Sequence, residues 1–309
     1  MKIAILGATS QLARDFVAAA GRSGQFRFSL YARRPHVVQQ WIKQRDVQGI
    51  DQIGEFSQFG KHTHFDALMN FVGVGDPATA QRMGASILDT TYTFDTLALD
   101  YLSAHPQTRY IFISSGAAYG SDFTHAATEE TVAQFKLNSL NAQDWYGTAK
   151  FYAECRHRAL ADLPIVDIRV FSYFSHTQDI SARFLVTDML RAVRDKAILQ
   201  TSPDNLVRDF LHPADFFNLT KALLAAPAAN TAVDCYTQAP VDKFTLLSAM
   251  QRHLGLQFEV VDSYTGVNAT GSKSNYYSLN KRAAGFGYQP SRTSLDGVLQ
   301  EAATLLAGA

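Results

Sequence analysis

The chain has 309 residues, enough to bury a large core in one large domain or two closely joined lobes. Its 28 basic residues cancel 28 acidic ones, and 47% hydrophobic with 18% charged residues is an ordinary globular mixture, so the footprint of a nucleic-acid or anionic-membrane binder is missing. Cys155 and Cys235 are too few and too widely spaced for a disulfide framework or a zinc site; they fit a reducing compartment and imply no metal.

In chain order, the apolar run Lys2–Leu6 breaks at Gly7 and gives way to an amphipathic pattern. It reads as a buried strand, too short for an exported segment. Further strands are expected at Phe28–Ala32, Ala67–Val72, Tyr110–Ser114 and Ile165–Val170. Between them lie helices carrying Leu12/Phe16/Ala20, Leu97/Tyr101 and Phe151/Cys155 at four-residue spacings, with Leu160 following the last. Short apolar strands alternating with helices describe a parallel sheet covered on both faces. The segment Gln44–His64 holds a weak strand and turns without a clear place. After Val170 the alternation loosens: helices are expected at Phe184–Arg194, Pro213–Ala225 with proline in the first turn, Thr245–Gly255 with a glycine stop, and Ser294–Leu306. The polar stretch Ser263–Ser278 reads as loop. No apolar run reaches membrane-spanning length, so a soluble cytoplasmic protein is expected.

Three stretches carry chemistry. Gly7-Ala-Thr9-Ser10-Gln11-Leu12-Ala13 sits between the first strand and first helix, the context in which a glycine-rich turn cradles a dinucleotide pyrophosphate. Two of the three usual glycines are replaced by Ser10 and Ala13, so a tight turn without ligand is the competing reading. At the end of the second strand, Arg33 and Arg34 stand where an acidic residue would bind a ribose 2′-hydroxyl. An arginine there binds a 2′-phosphate instead, which selects NADP over NAD unless it is a solvated turn.

The third is Tyr146-Gly-Thr-Ala-Lys150 following a strand that ends in Ser114-Ser115. One helical turn places the phenol and ammonium on one face, about 5–6 Å apart. A cation beside a phenol favours the phenolate, moving a group that titrates near pH ~10 toward a useful proton-exchange range. Taken alone the spacing is also that of two neighbours on a helix surface. Ser115, followed by small residues, is suited to hold a carbonyl or alkoxide oxygen.

With these pieces the chain resembles the extended short-chain dehydrogenase/reductase superfamily, in its epimerase/dehydratase-like branch acting largely on nucleotide sugars. Gly7–Ala13, Ser114–Gly120, Tyr146–Lys150 with Glu154, Arg169–Ser172 and Arg208–Asp215 carry the resemblance, which covers almost the whole length. It implies a Rossmann-type doubly wound α/β sheet over 1–172 and 206–236, with a smaller C-terminal substrate-binding lobe from 173–205 and 237–309. It implies Ser115, Tyr146 and Lys150 as catalytic residues, and Phe71, Val72, Gly73, Lys150 and Phe171 around the dinucleotide beside Gly7, Thr9, Ser10, Gln11, Leu12, Arg33 and Arg34. Ser172 and Arg208 join Ser115 and Tyr146 on the substrate, Arg208 meeting a nucleotide phosphate unless it pairs with Asp209 or Asp215. A homodimer through two long helices, near 87–104 and 143–163, is also implied.

Gly116 and Ala117 replace the acidic pair of the branch's dehydratases, which discounts water elimination. The expected activity is NADPH-dependent reduction of a carbonyl on a sugar, which the resemblance implies is nucleotide-linked; the alternatives are a nucleotide-sugar epimerase with NAD or NADP and a non-catalytic NADP-sensing or assembly protein. His64, His176 and His212, and likewise Trp41 and Trp145, read as packing or backbone-bonding residues.

Overall fold

The computed structural model describes all residues except 61–62, 75–76, 263–272 and 309. The first half alternates strand and helix: β1 (Lys2–Leu6), α1 (Gln11–Gly21), β2 (Arg27–Tyr31), α2 (Pro35–Arg45), β3 (Ile50–Gly54), β4 (Ala67–Asn70), α3 (Pro77–Met83), α4 (Ser86–Ala104), β5 (Arg109–Ser115), α5 (Trp145–Ala159) and β6 (Ile165–Val170). The chain then leaves the sheet through β7 (Ser172–Tyr173), α6 (Leu185–Asp195), β8 (Ile198–Thr201), β9 (Val207–Arg208) and β10 (Phe210–Leu211). It crosses α7 (Pro213–Ala225) and returns as β11 (Thr231–Asp234). The seven-stranded sheet runs β11-β6-β5-β4-β1-β2-β3, parallel throughout.

Side chains of β1 alternate between the two faces, as strand geometry demands. Ile3 and Ile5 enter a core with Phe16, Phe28, Leu30 and Phe216, while Ala4 and Leu6 enter a second with Leu68, Leu99, Leu102 and Phe112. Helices on both faces therefore account for the continuous apolar strands seen in the sequence. From β1 the chain winds outward to β3, then restarts at β4 on the other side of β1. That reversal leaves a crevice at the carboxyl ends of β1 and β4, where ligands bind in open α/β sheets.

β3 is the strand the sequence left unplaced. It forms the sheet's edge beside β2, with Asp51 and Gln52 exposed, so no apolar run announces it. The polar stretch read as a loop is corrected at its end: 263–272 lie outside the described residues, but Asn275–Tyr276 form a short strand, β14, paired with β9. Tertiary pairing, not local pattern, makes that strand.

A third core gathers Val186, Met189 and Leu190 of α6, Leu246, Leu247 and Met250 of α8 (Lys243–Leu254), and Val298 and Ala302 of α9 (Ser294–Ala307). β12 (Val241–Asp242) and β13 (Gln257–Val260) pair with β9 and β8 beside it. The 237–309 segment is shared between cores, since Ala283 and Tyr288 pack into the first one.

Under the β5 side of the sheet lies a polar cluster with no solvent access. His157 of α5 bonds Asp167 of β6 through Nδ1 (2.6 Å) and Asp95 of α4 through Nε2 (2.8 Å). Arg156 and the Tyr110 hydroxyl complete Asp95, and Arg158 completes Asp167. Burial alone would lower the His157 pKa, but the two aspartates reverse this and raise it to about 9 from 6.5. Replacing His157 with Gln strands two buried carboxylates and lowers stability by about 3–5 kcal/mol in denaturant unfolding at neutral pH. Because the folded pKa is raised, the histidine's contribution is complete below 6.5 and is lost as pH climbs through about 9. The gap between parent and His157→Gln narrows over that window; a constant gap contradicts the assignment.

Candidate active site

The crevice is built on Gly7. Its φ is +82°, and a Cβ there would lie 2.8 Å from the Val72 nitrogen and 2.9 Å from the Phe71 carbonyl carbon. Both the left-handed turn and the close approach of the chain leaving β4 require glycine. The Gly7 and Ala8 amides donate to the Tyr31 carbonyl (3.0 and 3.1 Å), tying the turn to β2. Ser10 then opens α1, whose first turn carries no acidic side chain, so its amides face the crevice as an anion site. Ala13 is fully buried, which explains a small residue where the third glycine is usual. Thr9 and Leu12 are half-buried along this turn, and Gln11 donates to Ser175 Oγ (2.8 Å). Arg33 and Arg34 are exposed at the end of β2 and form no ion pair among the described residues. The close approach at Gly7, the small Ala13 and a helix start without acidic side chains leave a turn whose chemistry fits a dinucleotide pyrophosphate.

The proton-handling groups lie next to it. β5 ends at Ser115, whose Oγ accepts from the Ala117 amide (3.2 Å), and α5 delivers Tyr146 and Lys150. Burial pushes the Tyr146 phenol up, partly offset by its hydrogen bond with Ser115. Lys150 lies near the Tyr146 ring at the separation that helical spacing predicts, and it has two further contacts. The ammonium donates to the Ile113 carbonyl (2.8 Å), sits 4.4 Å from the centre of the Phe112 ring, and keeps 5.8 Å from the centre of the Tyr146 ring. Burial lowers its own pKa to about 8, against the pull of Asp95, Glu154 and Asp167. Gly73 closes the gap to the cradle: a Cβ there would be 3.3 Å from Lys150 Nζ.

A buried ion pair holds this end of the sheet. Glu154, one turn beyond Lys150, accepts from Ser114 Oγ (2.5 Å) and from Arg169 of β6 through Nε (3.0 Å) and a second nitrogen (2.5 Å). Arg169 also donates to the Tyr119 hydroxyl (2.6 Å), which donates to Asp234 of β11 (3.0 Å).

On the opposite side lie residues that the sequence reading passed over. Tyr276 places its hydroxyl 3.1 Å from Ser115 Oγ. Its ring is faced by Arg208 (5.9 Å) and Lys273 (4.6 Å) and edged by Phe123 (4.8 Å) and Phe171 (5.2 Å). Burial lowers the Arg208 pKa to about 10 and, with Arg208 as a like-charged neighbour, the Lys273 pKa to about 8. Asp209 is held by Thr237 and Asp215 by Ser291. Phe171 thus turns its ring to this side, and Ser172 lies on β7, paired with Phe210. An open cleft of about 660 Å³, lined by Phe123, Gln134, Phe135, Lys136 and Ser274, borders the cluster. Only its place at the end of the polar stretch Ser263–Ser278 marked this segment in the sequence, and nothing local connected it to Ser115.

The sequence profile of the NAD dependent epimerase/dehydratase family matches residues 3–236. The chain belongs to that family. It is an enzyme of the extended short-chain dehydrogenase/reductase type. Among solved structures it is similar to a UDP-glucose 4-epimerase from Bifidobacterium longum bound to NAD+ and UDP, with 15% identity, TM-score 0.79, and 100% of this chain and 98% of that one covered. A UDP-glucuronic acid 4-epimerase from Bacillus cereus with its substrate and NAD gives 15%, 0.78, 100% and 99%. A dTDP-glucose 4,6-dehydratase from Bacillus anthracis with NAD gives 16%, 0.77, 100% and 97%. At these identities the likeness shows the fold. No curated protein matches.

Within this epimerase/dehydratase family the chain's Gly116 has a physical cause. A Cβ at that position would overlap the Phe171 ring, so the acidic pair has no room at its first position. The histidines at the lobe junction serve structure: His212 caps α7 through the Ala214 amide, and His176 and His212 share Glu301 of α9 (2.7 and 3.0 Å). No group of three or more histidine, cysteine or acidic residues among the described residues is placed to hold a metal.

Proposed function

We propose that the enzyme epimerises a nucleotide-linked sugar, using a tightly held dinucleotide without net redox change. The observation that carries this is the position of Tyr146 and Ser115, reached from Gly7 through Val72, Gly73 and Lys150, and from Arg208 and Lys273 through Tyr276. The family and the 4-epimerases of like fold move this reading ahead of the carbonyl reductase expected from the sequence. A dinucleotide held in the cradle would supply the hydride acceptor for a carbinol carbon and the hydride donor to the opposite face of the resulting ketone. Tyr146 accepts the hydroxyl proton on oxidation and gives it back on reduction, Ser115 holds the same oxygen, and Lys150 supplies a fixed cation beside Gly73. Arg208 and Lys273, two cations compressed by burial, suit a diphosphate. Arg33 and Arg34, exposed at the ribose end, favour the second reading: an NADPH-dependent reductase of the same sugar class. The protein is taken to be a cytoplasmic homodimer joined through α4 and α5, where Tyr92 and Tyr152 stack 6.4 Å apart on an exposed face; no described helix is long and apolar enough to cross a membrane.

Proton NMR of UDP-hexoses incubated with the protein gives isomerised sugar with no dinucleotide consumed, and Tyr146→Phe slows this about 100-fold or more. Stoichiometric loss of NADPH moves the assignment to the reductase. Alanine at Arg208 or at Lys273 weakens UDP binding about tenfold by calorimetry, the scale of a charge-assisted hydrogen bond; unchanged binding in both removes the diphosphate from this site.

A further inference from the structure

Tyr276 lies closer to the reacting groups than its sequence context suggests. Its backbone pairs in register with Arg208, and Arg208, Lys273, Phe123 and Phe171 surround the ring, so few positions are open to the hydroxyl. The residue is buried, and burial pushes its phenol well up, which keeps it protonated and able to donate.

The consequence follows from counting at Ser115. A serine hydroxyl has one proton to give and two lone pairs to receive. The Ala117 amide fills one lone pair at 3.2 Å. The contact with the Tyr276 hydroxyl, at 3.1 Å, admits either oxygen as donor; with the phenol donating, it fills the other. The serine's own proton is then left for the remaining neighbour, Tyr146, or for a substrate oxygen placed there. We propose that Tyr276 is a positioning residue of the proton-transfer centre: by donating to Ser115 it makes Ser115 an obligate donor toward Tyr146 and substrate. Without Tyr276 the serine rotates freely between accepting from the neutral Tyr146 phenol and donating to its anion. With Tyr276 the serine donates to Tyr146 in either state, more strongly to the anion, so the phenolate is favoured, the direction the sequence had assigned to Lys150. This rests on the proposed role of Ser115 and Tyr146.

Groups facing the pair come from every side: Lys150 on α5, Tyr276 on β14, and Arg208 and Lys273 behind Tyr276. The test is a pH titration by NMR of protein carrying ring-carbon-labelled tyrosine, alone and saturated with NAD+, with the Tyr146 signal identified by its loss in Tyr146→Phe. Tyr276→Phe raises the Tyr146 pKa by about one unit, a tenfold smaller ionisation constant. Ser115→Ala raises it as well, and the double variant moves it no further than Ser115→Ala alone. A Tyr146 titration unchanged in Tyr276→Phe but shifted in Ser115→Ala overturns the role of Tyr276 and leaves the proposed function standing. A titration unmoved by either change overturns both. Should Tyr276→Phe fold poorly, monofluorotyrosine at position 276, a stronger donor of nearly the same shape, lowers the Tyr146 pKa; no shift there overturns the inference.

Discussion

The Glu154–Arg169 ion pair is the constraint on which the site depends. It joins α5 to β6, takes the Ser114 hydroxyl at the end of β5, and reaches Asp234 of β11 through Tyr119. Lys150 and Tyr146 lie one and two turns before Glu154 on the same helix, and Ser115 follows Ser114, so one buried contact fixes the distance between helix-borne and strand-borne groups. A buried ion pair is a weak source of net stability, since desolvation consumes much of its attraction. Its value here is positional. His157, bonded to Asp95 and Asp167, fastens the far end of the same helix.

The same dryness sets the electrostatics. Lys150, Lys273 and Arg208 all have lowered pKa values, with burial as the first cause in each. Burial disfavours the charged form of each: Lys150 lies beside Gly73, and Arg208 and Lys273 face the ring of Tyr276. Tyr146 is pushed the other way by burial, and its one resolved relief is Ser115.

Much of this was legible in the sequence because it is local. The strand at Lys2–Leu6 breaking at Gly7, the proline-initiated helix at 213–225 and the Tyr146–Lys150 spacing each signal through neighbours a few residues apart, and the structure places them as read. What was missed is nonlocal. β3 lacks an apolar run because it is a half-exposed edge, and Tyr276 meets Ser115 across 161 residues, through a two-residue strand that exists only by pairing with β9. Gly116 was noticed as a departure, but its cause, the Phe171 ring, becomes visible only in three dimensions. The second partner of Lys150 was hidden for a related reason: helical spacing puts two side chains on one face without fixing what else the longer one reaches, and Lys150 also donates to the Ile113 carbonyl.

The central claim is that a sugar carbon is oxidised at the Ser115–Tyr146 centre by a dinucleotide seated on Gly7. The most direct measurement is rapid-mixing absorbance in the near-ultraviolet band of reduced nicotinamide, with dinucleotide-loaded protein and a UDP-hexose. The account predicts a transient rise that is lost in Tyr146→Phe while the dinucleotide stays bound. Turnover with no such rise, or a rise of equal size and rate in Tyr146→Phe, contradicts it.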